Sequence, residues 1–206
     1  MASSLVDKVE PESPESEAAS GAYAISESAL SSVDQLLKQD QHDASLQRYK
    51  ATLLGAAAHG DLGDVSDSRR VVVEEFAVVF EDQRPDIIYR LDTDEGLSHL
   101  KMTPFSMEEG AKYKFAIKFR VNGNIVSGLR FQNKVTKHLL SVKEDVVLGS
   151  YAPQSATHDF KFPRHGWSEA PAGLLYRGKY HAECKFADSE GVEHLRFSYR
   201  FDIKKA

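Results

Sequence analysis

The chain of 206 residues has a single cysteine, Cys184, so no disulfide can form within it. No apolar run approaches the ~18 residues of a membrane span. The N-terminus has no basic-then-apolar signal segment, and the C-terminus has no prenylation box. These absences lead us to expect a cytosolic protein without stable membrane insertion. There is no glycine-rich phosphate loop, no Cys or His cluster at metal spacing and no nucleophile elbow. We therefore expect no enzyme, no cofactor and no metal. Cys184 falls on the apolar face of a strand pattern and reads as a buried thiol. His138, His181 and His194 fall on polar faces and read as solvated. A basic stripe is also missing. Residues 66–206 carry 20 acidic and 22 basic side chains, a net of +2, so nucleic acid is not an expected partner. Residues 1–65 carry 11 acidic and 4 basic, a net of −7. An acidic segment thus precedes a near-neutral body.

What the sequence does have is alternation. In Lys112 to Val121, Tyr113, Phe115, Ile117, Phe119 and Val121 fall on one face and charged residues dominate the other. A period of two marks a strand with one buried face. Asn122-Gly123 follows and predicts a hairpin turn, after which Ile125, Ser127, Leu129 and Phe131 share a face. Similar patterns cover Val71 to Phe80, Asp86 to Leu91, Thr157 to Phe162, Lys179 to Phe186 and His194 to Ile203. Weaker ones cover Leu97 to Met102 and one or two strands in Thr136 to Leu148. The expected fold is mainly β: an immunoglobulin-like antiparallel β-sandwich over residues 66–206, with a closed barrel as the alternative.

The first 65 residues read differently. Residues 1 to about 24 are rich in Ser, Glu and Pro and have no period, so they cannot offset their conformational entropy in isolation. Helical spacing then covers Ile25 to Lys38 (Leu30, Val33, Leu37) and Asp43 to Ala58 (Leu46, Tyr49, Leu53, with Leu54 widening the stripe). Asp43 is the expected N-cap of the second. His59 to Asp64 reads as a hinge. This partly helical, flexible arm either packs on its own body or orders when a partner covers its apolar stripe. The many rings on the strand faces read as a well-filled sandwich core; the alternative is a cleft between the sheets, open to an apolar ligand, where small residues such as Ala182 and Ser127 interrupt them.

Five segments, in order, resemble the Rho GDP-dissociation inhibitors: SLQRYKATLLG (Ser45 to Gly55), FRVNGNIVSGL (Phe119 to Leu129), LGSYAP (Leu148 to Pro153), EAPAGLLYRGKY (Glu169 to Tyr180) and FDIKK (Phe201 to Lys205). The resemblance implies a non-catalytic carrier that binds prenylated Rho-family GTPases as a one-to-one complex. It implies a geranylgeranyl group held between the sheets, and an arm laid on the GTPase switch regions. Carried over by motif, the switch contacts would be Asp43, Ser45, Tyr49, Leu53 and Leu54. The isoprenoid positions would be Val78, Phe80, Phe105, Tyr113, Ile117, Ile125, Leu129 and Tyr199. An acidic rim of Glu144, Asp145, Glu169 and Asp188 would meet the basic stretch before the prenylated cysteine. Family members more often carry Trp at the position of Tyr199 and a larger aliphatic residue at that of Ala182. A general prenyl- or acyl-chain chaperone and an immunoglobulin-like adaptor remain as alternatives.

Overall fold

Side chains that alternate between core and water build two sheets in the computed structural model, which describes residues 33–39, 42–82 and 84–206. The leader and the first half of the earlier expected helix, with Leu30, lie outside the described residues. In chain order the strands are β1 (Val71–Phe80), β2 (Ile87–Arg90), β3 (Phe105–Glu108), β4 (Lys112–Val121), β5 (Val126–Lys137), β6 (Leu140–Tyr151), β7 (Gln154–Phe162), β8 (Ser168–Glu169), β9 (Gly178–Ala187) and β10 (Glu193–Lys204). Helices α1 (Val33–Lys38) and α2 (Ala44–Leu54) precede them, and α3 (Asp94–Met102) lies between β2 and β3. The first sheet has the order β2-β1-β4-β7, with β8 added to β4; the second has the order β3-β10-β9-β5-β6. Each path of strands ends at free edges, so the architecture is the expected sandwich rather than a closed barrel. The pairing of β3 with β10 is parallel.

Two local expectations fail, each for a physical reason. Asn122-Gly123 is not a hairpin turn, because β4 and β5 belong to different sheets. The pair forms a corner between the layers. Only Gly123 has a left-handed φ, of 72°. Asn122 is buried, and its side chain replaces missing ladder bonds: Oδ1 accepts from Asp64 N at 3.0 Å and Nδ2 donates to Arg69 O at 3.1 Å. The hairpin proper joins β5 to β6 through His138-Leu139, where His138 takes φ 51°. Second, Leu97 to Met102 is helical. The Thr93 hydroxyl accepts from Gly96 N at 3.1 Å, Asp94 and Glu95 occupy the first turn, and Leu100 is buried. An N-cap followed by acidic residues outweighs weak alternation.

A bulge also shifts β5. Register is lost between Val126 and Leu129, with Gly128 at φ 57°. Val126, Leu129 and Phe131 are therefore the buried set, while Ile125 leaves the sandwich core. In the core, Phe76 stacks on Phe115 at 5.2 Å between ring centroids and touches Tyr199 at 5.3 Å. Rings continue from Tyr199 to Phe105, Phe201 and Tyr180. Each such pair adds about 0.5–1.5 kcal/mol beyond burial.

Candidate functional site

The expected arm contacts sit on α2. Asp43 Oδ1 caps the helix, accepting from Ser45 N at 2.9 Å and Leu46 N at 3.0 Å. Leu46, Tyr49 and Leu53 share one face and are exposed, the last two at 62% each. That is unusual for large apolar side chains on one stripe. Leu54 departs from the expectation. It turns inward with Val33 and Ala57, and Leu37, Leu62, Ile125 and Ala152 pack on this cluster. Ile125 accordingly supports the arm and does not line the cavity described below. The residues read as a hinge are bonded to the sandwich. Asp61 accepts from Ser155 N and from Ser155 Oγ at 2.6 Å, and those bonds hold its carboxyl below the usual range. Gly123 N donates to Leu62 O at 2.8 Å. At Gly63 a Cβ would lie 2.7 Å from Asn122 Oδ1, so the strap approaches the inter-sheet corner closely.

A partly open cavity of about 180 Å³ lies between the two sheets. It crosses the whole width of the second sheet: Phe105 and Met107 on β3, Tyr199, Phe201 and Ile203 on β10, Tyr180 on β9, Asn133 and Val135 on β5, and Val142 and Glu144 on β6. Tyr113 and Phe115 on β4, with Ala170 and Pro171, form the facing wall. Of the expected isoprenoid positions, Phe105, Tyr113 and Tyr199 line this space. Val78, Phe80, Ile117 and Leu129 are buried in the adjoining core. Val135, Tyr180, Phe201 and Ile203 also line it and are not among the expected positions. The parity of β10 and β9 pointed to the last three, while the polar Asn133 masked the inward face of β5.

The cavity is apolar with a few buried polar groups. Tyr199 Oη and Asn133 Nδ2 find no hydrogen-bond partner among the described residues. Burial pushes the Tyr113 hydroxyl up to about 12 and that of Tyr199 well above its usual value. The Cys184 thiol, bonded to Asn133 Oδ1 at 3.4 Å, is likewise raised by burial and stays protonated. Glu144 is exposed on β6, and partial desolvation raises its carboxyl.

The four acidic positions do not share one surface. Glu144 faces the cavity. Asp145, its strand neighbour, points outward to Arg130 at 3.0 Å and Gln132 at 3.1 Å. Glu169 is exposed on β8. Asp188 is buried and shapes the turn after β9, accepting from Glu190 N and Val192 N and lying 2.9 Å from His194 Nε2. It is no rim residue, and the His194 side chain is buried rather than solvated. The turn needs a fixed acceptor there, which strand parity cannot reveal.

A separate acid, Glu109, holds the loop beside the cavity mouth. It accepts from Arg177 Nε at 2.9 Å and Gly173 N at 2.8 Å, and its pKa falls to about 2, chiefly through Arg177. A folded pKa below the unfolded one stabilises the fold above the ordinary value and ceases to do so as pH falls towards 2. Urea unfolding followed from neutral pH to pH 2 should show this loss, and Glu109→Gln should remove that part of the pH dependence. An unchanged profile in the variant would refute the assignment.

A family model described as RHO protein GDP dissociation inhibitor matches residues 9–206. Among curated proteins, the putative rho GDP-dissociation inhibitor 1 of Dictyostelium discoideum is 44% identical, covering 84% of this chain and 86% of its own length. The Rho GDP-dissociation inhibitor of Schizosaccharomyces pombe is 32% identical over 85% and 83%. The human Rho GDP-dissociation inhibitor 1 is 33% identical over 86% and 83%. Among solved structures, a Niemann-Pick type C2 protein from the Japanese carpenter ant covers 69% of this chain at 7% identity, and its TM-score of 0.41 supports no functional argument. The match spans arm and sandwich alike, and the chain belongs to the Rho GDP-dissociation inhibitor family.

Proposed function

We propose that this chain binds prenylated Rho-type GTPases one to one in the cytosol, shelters the geranylgeranyl group between its sheets and slows nucleotide exchange. The observation that carries the reading is the apolar cavity crossing the second sheet, together with an exposed apolar stripe on α2. Burying a lipid chain is worth about 0.8 kcal/mol per CH₂, so a twenty-carbon isoprenoid offers on the order of 10 kcal/mol before ordering costs. At about 180 Å³ the cavity is smaller than the ~300–1,000 Å³ of usual ligand pockets, so its walls part as the chain enters. The α2 stripe supplies a second, tethered contact, which raises effective concentration. Slowing nucleotide release requires no covalent step. A partner that binds the nucleotide-bound switch arrangement more tightly stabilises it by that difference.

The test is extraction of a geranylgeranylated Rho-type GTPase from liposomes beside an unprenylated control. The expected result is a one-to-one soluble complex of the prenylated form and much weaker binding of the control. Equal binding of both forms, with nothing leaving the membrane, would leave the adaptor reading instead. A general lipid carrier would extract unrelated prenylated proteins equally well.

A further inference from the structure

We propose that the two loops flanking the cavity mouth form a membrane-docking rim, which seats the sandwich on an anionic bilayer so that the lipid chain passes between bilayer and cavity without crossing water. This rests on the lipid-carrier reading above.

Six large apolar side chains are exposed here, and they come from two segments. Leu139, Leu140 and Val142 lie at the β5–β6 turn; Leu174, Leu175 and Tyr176 lie in the loop before β9. Leu139 has no contact that shields it, and Leu175 is 86% exposed. Single exposed leucines are ordinary, but a cluster at a ligand opening is not. The two segments are fastened together. Lys137 Nζ donates to Leu175 O and to Arg177 O, each at 2.6 Å, and sits over the Tyr180 ring. Tyr180 Oη donates to Tyr176 O, and Glu109 braces the loop from behind. Val142 and Tyr180 also line the cavity, so the rim adjoins its wall.

The charge around the rim selects the occupant. Residues 134–143 contain three lysines and residues 171–181 contain Arg177 and Lys179, with no acidic residue in either stretch. No salt bridge forms at Lys143 or Lys179 among the described residues; Lys143 lies across from Lys134, and Lys179 across from Asp202. Leucines beside unpaired lysines match the interface of an anionic bilayer, where apolar tips enter the acyl boundary and ammonium groups stay with the headgroups. The basic stretch preceding a prenylated cysteine would be repelled by this surface, which argues against the GTPase tail as its occupant.

The experiment uses the full chain and phosphatidylcholine vesicles with or without phosphatidylserine, read by sedimentation. The combined variant L139S/L140S/L174S/L175S should lose vesicle binding by about tenfold or more and slow extraction similarly. Uptake of a geranylgeranyl-cysteine peptide in buffer should not change. In K143Q/K179Q the gain from phosphatidylserine should shrink, by about fivefold for each lysine. Vesicle binding equal in parent and leucine variant, or absent in the parent, overturns the rim while peptide uptake leaves the carrier reading intact. Failure of peptide uptake with rim-dependent vesicle binding does the reverse. A parent dimer that the leucine variant dissolves, or weaker binding of unprenylated GTPase by that variant, would assign the patch to a protein and overturn the proposal.

Discussion

Val135→Phe should leave the sandwich folded and reduce extraction of a geranylgeranylated GTPase by about a hundredfold or more, since burial of the chain contributes on the order of 10 kcal/mol. Val135 faces the cavity from β5, between its strand partners Val142 on β6 and Ala182 on β9. A phenyl ring there occupies the space proposed for the lipid. Overpacking a filled core costs about 1–3 kcal/mol, but a ring entering an open cavity costs less. Two measurements check the prediction: liposome extraction for function and urea unfolding for stability. Undiminished extraction by a stable variant would place the lipid chain elsewhere.

Tyr49→Ala combined with Leu53→Ala should abolish most inhibition of nucleotide release while sparing lipid uptake. Both side chains are exposed on α2 and take no part in the Leu54 cluster, so the folded protein alone loses little. A tyrosine at the centre of an interface typically contributes about 2 kcal/mol or more, enough for at least a tenfold loss of inhibition when leucine is removed beside it. Release of a fluorescent GDP analogue from the GTPase reads the effect. Inhibition equal to that of the parent would mean that α2 does not touch the switch regions, and would favour a general lipid carrier. Leu54→Ala should act differently, through the packing of the arm root on Ile125, and is the matched control.

Much of the fold was legible because burial on one face imposes a period of two, and β4, β9 and β10 obey it without interruption. The pairing of strands was not legible. Asn122-Gly123 has the composition of a hairpin turn, yet the corner is decided by long-range bonds from the Asn122 side chain to Asp64 and Arg69, which no local window contains. The bulge at Gly128 reversed the parity that had placed Ile125 inward. For the site, the arm was legible from helical spacing, including the cap at Asp43, but spacing alone could not separate exposed Leu53 from buried Leu54. The cavity was legible as a run of rings. Its extent was not, because Val135, Ala170 and Pro171 carry no signal of their own and meet only when the sheets close.

Among the described residues the second sheet ends at β6, which is bonded to β5 and to no strand on its other side. That makes the cavity anisotropic in stiffness. Displacing β9 or β10 would break ladders on both flanks, whereas β6 yields by straining one, and that one already slips register at Leu129. Lys143, Glu144 and Asp145, midway along this free edge, discourage a foreign strand from pairing there and locking it. The cavity wall thus has two borders held by a single ladder each: β3, with four residue pairs to β10, and β6, the border that also carries Leu140 and Val142.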